Sequence, residues 1–342
     1  MVTSGINVLV TIPEMAGQQR YLDEIAAVSP RVGVTHRTST TYDQTAALLD
    51  GVEVLYTNRP PSHLQQASRL RWVQVHTSGV DRHSQAVLDA ARGIAVTNVA
   101  GAHAVPMAEY CLAVMIMLSR GFLQLVRDQQ TRARDPRHSP AVELFGQTIG
   151  IVGYGQTGRE VARQAVAHGM RVLALKRHPE QRRATGYQWK GVGDPDGALP
   201  ARWFGPEGLQ TLLRESDFVV DCLPLTRETA GRFGRDEFAA MKPSTFFINM
   251  GRGETVQDEA LAAALREHLV AGAALDVSIA DPEPLPPEHP FWELDNLFMS
   301  PHISGSRLQP RYLARTNELF CENLRRYLTG EPLLNRVTEA GY

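Results

Sequence analysis

Gly153, Gly155 and Gly158 follow the spacing G-x-G-x-x-G, which is typical of a turn that binds phosphate groups. An apolar run at 148–152 precedes them, an alanine-rich stretch follows, and a second apolar run occupies 171–175. In this strand–turn–helix–strand context the glycines allow a tight turn, backbone approach to a pyrophosphate, and close packing of helix on strand. The free N–H groups at the helix start attract phosphate. The motif therefore predicts a dinucleotide-binding turn of Gly153, Tyr154, Gly155, Gln156, Thr157 and Gly158.

The second strand ends in LALKRHPE (173–180), where an NAD-binding protein usually presents an acid to the ribose 2′-hydroxyl. Here Lys176 and Arg177 occupy that position, and two cations attract a 2′-phosphate through charge-assisted hydrogen bonds. The stretch predicts that NADP(H) is preferred, chiefly through Arg177, and that NAD(H) remains possible. The alternative is a solvated loop start that tolerates either cofactor.

Strand-like and helix-like segments alternate along the chain, which predicts α/β architecture with parallel sheets and right-handed crossovers. In the first hundred residues, strands are predicted at 6–10, 52–56, 71–75 and 94–98, with helices near 15–28, 41–50 and 82–92. The apolar run 110–119 is too short to span a bilayer and is interpreted as a buried helix.

A stronger alternation begins near residue 148. Strands are predicted at 148–153, 171–176, 218–224, 245–250, 273–277 and 296–301, with helices near 157–168, 206–215, 235–241 and 257–268. Composition indicates a loop at 127–140 and an irregular Gly/Pro-rich insert at 185–203. A final helix at about 310–327 is expected to bury its apolar face on the first domain.

Composition excludes several classes of protein. A chain of 342 residues with a net charge of −2 is long enough for two domains and has no global attraction to nucleic acid or membrane. Three cysteines without a paired spacing suit a reducing cytosol and predict neither a disulfide framework nor a metal site. The first residues lack the features of a signal peptide, so a cytoplasmic location is expected.

Several longer motifs follow one another along the chain. They are HTSGVD (76–81), AGAHAVPMAEYCLAVMIMLSR (100–120), the glycine turn, SDFVVDCLPLTRETAGRFG (216–234), MKPSTFFINMGRGETVQDEAL (241–261), AALDV (273–277), EPLPPEHPFW (283–292) and SPHISG (300–305). With these motifs the chain resembles the D-isomer-specific 2-hydroxyacid dehydrogenases, which include glyoxylate/hydroxypyruvate reductases and phosphoglycerate dehydrogenases. The resemblance implies two Rossmann-like or flavodoxin-like domains: a substrate domain of 1–103 plus 306–342, and an inserted NAD(P)-binding domain of 104–305. It also implies an active site in the cleft between them and a homodimer formed through the nucleotide-binding domains.

The resemblance also assigns catalytic residues. Arg252 in NMGRGE ends a strand, and its planar fork suits bidentate binding of a substrate carboxylate and polarisation of the adjacent carbonyl. His302 in SPHISG is suited to donate the proton in reduction and accept it in oxidation. The histidine needs a carboxylate to orient it. The family spacing from the aspartate of AALDV lands on Asp281, whereas the downstream match favours an insertion and Glu283; Glu283 is the preferred prediction and Asp281 the alternative.

Other binding residues are predicted by the same motifs. Backbone N–H groups around Thr77, Ser78 and Gly79 would form a nest for the substrate carboxylate; an ordinary strand-to-helix turn is the alternative. Pro224 and Leu225 match the loop that covers the nicotinamide, and Asp276 matches the residue that contacts the carboxamide. The complete predicted cofactor set adds Leu223, Thr229 and Met250.

The sequence therefore predicts an NAD(P)-dependent D-2-hydroxyacid dehydrogenase or 2-keto acid reductase, in which a small 2-keto or 2-hydroxy acid accepts or donates the hydride. Two alternatives keep the same scaffold: a formate- or phosphite-type dehydrogenase, and a non-enzymatic, nucleotide-sensing corepressor. Retention of an arginine, a histidine and a carboxylate favours the keto acid.

Overall fold

The strands of the N-terminal region form a five-stranded parallel sheet in the computed structural model, which describes residues 5–13, 18–61, 64–80, 93–133, 135–138, 142–281, 283–305 and 310–337. The strand order is β2-β1-β3-β4-β5. The strands are β1 (Ile6–Val10), β2 (Val32–His36), β3 (Val54–Thr57), β4 (Trp72–Val75) and β5 (Ala95–Thr97). Strands β3 and β4 are buried throughout because both faces of a parallel sheet are covered. Strand β2 was not predicted, since it lies at the edge and alternates between half-buried and exposed residues.

Three helices accompany this sheet in the described residues. They are α1 (Gln18–Ala26), α2 (Tyr42–Ala46) and, from the far end of the chain, α9 (Pro310–Thr329). Phe320 of α9 stacks on Trp72 and Tyr56, with ring centroids 5.0 and 4.6 Å apart. The terminal helix thus buries its apolar face on the first sheet, as predicted. The helix predicted at 82–92 lies outside the described residues.

The second half of the chain forms a seven-stranded parallel sheet in the order β12-β11-β10-β9-β6-β7-β8. The strands are β6 (Thr148–Val152), β7 (Arg171–Leu175), β8 (Arg202–Phe204), β9 (Phe218–Asp221), β10 (Phe246–Asn249), β11 (Gly272–Leu275) and β12 (Leu297–Met299). The direction of the chain across the sheet reverses at β6, and in open α/β sheets ligands bind beyond the carboxyl ends of the strands at such a point.

Helices cover both faces of this sheet and enclose two apolar layers. They are α3 (Ala104–Ser119), α4 (Phe122–Gln130), α5 (Gln156–Ala167), α6 (Leu209–Glu215), α7 (Arg235–Ala240) and α8 (Asp258–Arg266). Short 3₁₀ turns occupy Leu64–Gln66, Pro136–His138, Pro206–Gly208, Gly253–Thr255 and Pro290–Glu293. The apolar run 110–119 belongs to α3, which packs against α5 and buries Cys111, Val114, Met115 and Leu118.

The loop predicted at 127–140 is wrong over its first four residues, because α4 continues to Gln130. Asp128 is buried there and accepts a hydrogen bond of 2.7 Å from Gln124 one turn earlier. The polar composition of this segment led to the prediction of a loop. The segment is helical because its polar side chains form hydrogen bonds with one another along the helix.

The Gly/Pro-rich insert contains polar anchors and ends in the unpredicted edge strand β8. The carboxylate of Asp194 accepts hydrogen bonds from the Tyr154 hydroxyl and from the N–H groups of Ala198 and Leu199. The buried guanidinium of Arg159 donates to the carbonyls of Asp194 and Arg182. These contacts fasten the insert to helix α5.

The chain divides into two compact units. Residues 1–102, 185–187 and 307–342 form the first, and residues 103–184 and 188–306 form the second. The domains predicted from sequence differ from these units by one residue at each boundary and by the segment 185–187. No single helix in the described ranges has both the length and the apolar character to cross a membrane, whereas α3 and α4 meet that test only as a pair bent by 64°.

Candidate active site

The glycine turn follows β6, and its geometry explains two of its three glycines sterically. Gly153 has φ +99°, and a Cβ at this position would lie 2.8 Å from the carbonyl carbon of Cys222. A Cβ on Gly158 would lie 2.6 Å from the carbonyl oxygen of Gly153. A Cβ on Gly155 would meet no atom within 4 Å, so the space beside its backbone is open. The turn thus leaves room where a pyrophosphate approaches a dinucleotide-binding backbone.

Helix α5 begins at this open space. Gly155 is its N-cap and offers no side chain to the first-turn N–H groups. Thr157 donates its hydroxyl to the sulfur of Met107, at 3.8 Å. The Tyr154 side chain is buried and donates to Asp194, so Tyr154 can reach a cofactor only through its backbone. The open space beside Gly155 and the positive end of the helix dipole fit a phosphate here.

The two cations after β7 have separate partners. Lys176 donates to the carbonyl of Gln181 at 2.7 Å, and burial followed by the nearby charge of Arg159 lowers the pKa of its ammonium group. Arg177 forms an ion pair of 2.5 Å with Glu228, and the two side chains are 49% and 74% exposed. The pair joins the end of β7 to the loop that follows β9.

That loop stabilises itself through its own side chains. The N–H of Leu223 donates to Asp221 at 2.8 Å, and Thr229 donates its hydroxyl to the carbonyl of Pro224 at 2.6 Å. The Met250 side chain is buried in the apolar layer that also holds α3 and α5. The Met250 side chain therefore contributes to the apolar packing behind the glycine turn.

Arg252, Asp281 and His302 follow three adjacent strands. Arg252 comes after β10, Asp281 after β11 and His302 after β12, and these strands are neighbours in the sheet. Because all are parallel, the three side chains belong to the same edge. Arg252 caps the 3₁₀ turn Gly253–Thr255, and its guanidinium donates to the carbonyl of Gly251 at 2.9 Å. A Cβ on Gly253 would overlap the carbonyl group of Ser278, so only glycine fits after the arginine.

The carboxylate beside the imidazole is Asp281. Its Oδ2 lies 2.9 Å from Nδ1 of His302, while Glu283 is exposed. The structure thus places Asp281, the alternative, beside His302 and not the preferred Glu283; the catalytic role of either acid stays a prediction. The N–H of Glu283 donates to the carbonyl of Ala280 at 2.8 Å, while the Asp281 carboxylate lies at the imidazole. The ion pair is partly buried, with side-chain exposures of 34% for His302 and 15% for Asp281.

Asp276 organises the loop that carries the histidine. It is buried at the end of β11 and accepts hydrogen bonds from the Ser300 hydroxyl and the N–H groups of Ile303 and Ser304, at 2.6, 2.8 and 2.9 Å. Tyr110 of α3 donates to Ser300 at 2.7 Å and extends this chain. His302 itself has φ +54°, a left-handed conformation unusual for histidine, which these bonds hold in place. The predicted carboxamide contact of Asp276 stays a prediction.

Two residues of the site were not predicted from the sequence. Asp221 ends β9 with no exposed surface, and Thr255 lies beside it in the turn after Arg252. Burial raises the pKa of the Asp221 carboxyl to about 7, against hydrogen bonds from Thr255 and Leu223 that lower it. The detectable signal was an aspartate at the end of the apolar run FVVD.

The predicted carboxylate nest lies in the first unit. Thr77, Ser78 and Gly79 are half-buried after β4, and the Thr77 hydroxyl donates to the carbonyl of Gly79 at 2.8 Å. None of their three N–H groups has a hydrogen-bond partner within the ranges that the structure describes. They are suited to receive an anion, and their role stays a prediction.

The glycine turn and the reversal of strand order define a dinucleotide-binding α/β protein. Residues 112–304 match the family model for the NAD-binding domain of D-isomer specific 2-hydroxyacid dehydrogenases. A glyoxylate reductase of Korarchaeum cryptofilum is 32% identical over 282 residues, which cover 80% of this chain and 78% of the relative.

Solved structures give the same result. A D-isomer specific 2-hydroxyacid dehydrogenase family protein from Aeromonas salmonicida has a TM-score of 0.78 at 27% identity and covers 98% of this chain and 100% of its own. A D-isomer specific 2-hydroxyacid dehydrogenase from Xanthobacter autotrophicus, in complex with NADPH and MES, has a TM-score of 0.75 at 26% identity, with coverage of 99% and 100%.

The chain belongs to the D-isomer specific 2-hydroxyacid dehydrogenase family. It is accordingly an oxidoreductase with an NAD-binding domain and the two-sheet fold of that family.

Proposed function

We propose that the protein reduces a small 2-keto acid to a D-2-hydroxy acid, with NADPH as the preferred hydride donor. The observation that carries this proposal is the His302–Asp281 ion pair, at 2.9 Å, on the strand edge that also carries Arg252. A cation, a proton donor and its orienting carboxylate are what reduction of a keto acid requires. The relative from Korarchaeum cryptofilum is named a glyoxylate reductase, which supports a small keto acid as substrate.

Arg252 binds the substrate carboxylate and polarises the adjacent carbonyl. A guanidinium offers two parallel N–H donors to a carboxylate, which fixes the orientation of the substrate as well as its position. Its backbone is held by the carbonyl of Arg252 accepting from Asn249, at 2.9 Å, and by the 3₁₀ turn that follows. A preorganised cation of this kind stabilises the negative charge that develops on the carbonyl oxygen.

His302 supplies the proton to that oxygen. The imidazolium is stabilised by Asp281, which also selects the ring orientation through Nδ1 and leaves Nε2 for the substrate. When bound, a reduced nicotinamide supplies the hydride, and the open space at Gly155 with the N-terminus of α5 fits its pyrophosphate. Glu283 has no part in this proposal.

Arg177 is proposed to select NADP(H). Its only acidic partner among the described residues is Glu228, and the ion pair between them is exposed. Exposed ion pairs contribute about 0–1 kcal/mol to stability. A 2′-phosphate with two negative charges can therefore replace Glu228 as the partner of Arg177. The NADPH complex of the Xanthobacter autotrophicus structure is consistent with this choice of cofactor.

The experiment compares kcat/KM for NADPH and NADH in the wild type, Arg177→Ser and Glu228→Gln. Arg177→Ser is expected to reduce kcat/KM for NADPH at least tenfold more than that for NADH, because one charge-assisted contact to the phosphate is worth about 1.5–3 kcal/mol. Glu228→Gln removes the competing acid and should leave or raise the NADPH value. A wild type that clearly prefers NADH would overturn the cofactor assignment.

A cytoplasmic homodimer is part of the proposal. Phe122, Leu125 and Val126 of α4, Ile116 of α3 and the 76% exposed Phe145 form apolar surface on the second unit. A second copy of the chain covering these side chains would remove them from water. Light scattering of the purified protein is expected to give twice the 37.8 kDa chain mass, and a monomer would contradict this part.

A further inference from the structure

A buried acid lies directly behind the turn that carries Arg252. Asp221 is completely buried at the carboxyl end of β9, and its cross-strand neighbours are Val152 on β6 and Asn249 on β10. Its Oδ1 accepts from the N–H of Leu223 at 2.8 Å, and its Oδ2 lies 2.5 Å from the Thr255 hydroxyl. An isolated charge at such a site is costly, because the groups that act on this carboxyl among the described residues are the Thr255 hydroxyl and the Leu223 N–H, and neither is a cation.

The protonation state of Asp221 can be inferred from the hydrogen bonds of the Thr255 hydroxyl. Thr255 Oγ1 lies 2.5 Å from Asp221 Oδ2 and 2.6 Å from the carbonyl oxygen of Arg252, and both distances are those of hydrogen bonds. A hydroxyl carries one hydrogen and can donate to only one of the two. With an ionised Asp221, one of these contacts would join two oxygens with no hydrogen between them. With a protonated Asp221, both contacts are satisfied.

We propose that Asp221 is a positioning residue: as a neutral carboxylic acid it donates to Thr255, whose hydroxyl donates in turn to the carbonyl of Arg252. The relay fixes the backbone from which the guanidinium extends, in concert with the Asn249 side chain that donates to the same carbonyl. The inference rests on the proposed role of Arg252 in binding the substrate carboxylate.

The surroundings leave few other groups that could titrate in place of Asp221. Strand β6 presents Val152 and strand β10 presents the amide Asn249. The next residue along the chain, just after β9, is Cys222, whose thiol pKa is raised by burial. Two charged side chains belong to the same turn, those of Arg252 and Glu254, and the Arg252 guanidinium donates to the carbonyl of Gly251. The carboxyl pKa of about 7 agrees with a neutral acid below that pH.

Ionisation above neutral pH would reverse one bond of the relay. The Thr255 hydroxyl would then turn to the carboxylate and leave the Arg252 carbonyl with one donor fewer. This change loosens the turn that carries Arg252, which is proposed to bind the substrate carboxylate, and leaves the proton donor His302 in place. KM for the keto acid is therefore expected to rise with pH while kcat changes less.

The first test reads the proton directly. An infrared difference spectrum of the wild type against Asp221→Asn is expected to show the carbonyl stretch of a protonated carboxylic acid at pH 6 and its loss at pH 9. Asp128→Asn, a buried aspartate on α4 remote from β9 in sequence, is the matched control and should leave that band in place. Absence of the band at pH 6 would overturn the proposal, whatever the activity.

The second test reads the relay. Thr255→Val removes the hydroxyl and is expected to raise KM for the keto acid about fivefold with a smaller change in kcat, whereas Thr255→Ser should restore the wild-type value. Asp221→Asn retains a donor and should keep the low KM but lose its rise between pH 6 and 9. An unchanged KM in Thr255→Val refutes the relay. If the infrared band is present but Arg252→Ala leaves KM unchanged, the proposed function fails instead.

Discussion

Exchange of Asp281 for its amide is the sharpest perturbation of the proposed catalytic pair, His302 and Asp281. Asp281→Asn keeps the volume and shape of the side chain but removes the charge that lies 2.9 Å from Nδ1 of His302. A hydrogen bond between charged groups contributes about 1.5–3 kcal/mol, and the pair is only partly exposed. If that energy stabilises the imidazolium in the transition state, kcat/KM for keto-acid reduction at pH 7 falls roughly 10- to 150-fold.

Glu283→Gln is the matched control. Glu283 is only two residues away, carries the same charge and is exposed, so its amide is expected to leave kcat/KM within about twofold of the wild type. The assay is steady-state oxidation of NADPH with a keto acid, repeated from pH 5 to 9, with thermal unfolding as a check that both variants fold.

The two variants separate the competing assignments. A pH–rate profile that is altered in Asp281→Asn and unaltered in Glu283→Gln is expected. The opposite pattern, with activity lost in Glu283→Gln and kept in Asp281→Asn, would refute the assignment of Asp281 and restore the one favoured by the downstream motif.

Three further predictions follow from the geometry. Gly158→Ala places a Cβ 2.6 Å from the Gly153 carbonyl and should lower Tm by roughly 3–10 °C, whereas Gly155→Ala meets no atom and should weaken NADPH binding without lowering Tm; equal Tm losses in calorimetry would contradict this. Asp221→Asn should raise Tm relative to the wild type more at pH 8 than at pH 4. Folding raises the pKa of the Asp221 carboxyl from 3.8 to about 7, so the protonated acid contributes its full stabilisation below pH 3.8 and loses it as the pH rises through 7. The free energy of unfolding of the wild type then falls by up to about 4 kcal/mol. A pH-independent Tm difference would refute it. Ser300→Ala removes the donor that links Tyr110 to Asp276 and should reduce kcat/KM about fivefold, measured with NADPH and keto acid; an unchanged rate would show that the two backbone N–H groups suffice.

The buried strands and the glycine turn could be predicted from the sequence because their signals are local. A run such as TIGIV is fully buried and mostly apolar, and the glycine spacing can be read within six residues, although the close neighbour of Gly153 is the distant Cys222. Strands β2 and β8 were missed because edge strands are short and partly exposed, so their patterns resemble those of loops.

The partner of His302 could not be predicted reliably, since it depends on which way a turn folds. Counting residues from AALDV led to Asp281 and the downstream motif favoured Glu283, but neither pattern shows which carboxylate lies 2.9 Å from the imidazole. The Asp221–Thr255 contact was invisible for a related reason: it joins side chains 34 residues apart, on different strand ends.

The most direct test of the central claim is turnover by the purified protein with NADPH and a panel of keto acids that includes glyoxylate and hydroxypyruvate. We expect oxidation of NADPH with at least one of them, and loss of that turnover in Arg252→Ala while NADPH binding, followed by fluorescence, is retained. Absence of turnover across the panel with both NADPH and NADH, in a protein that still binds the nucleotide, would contradict the account.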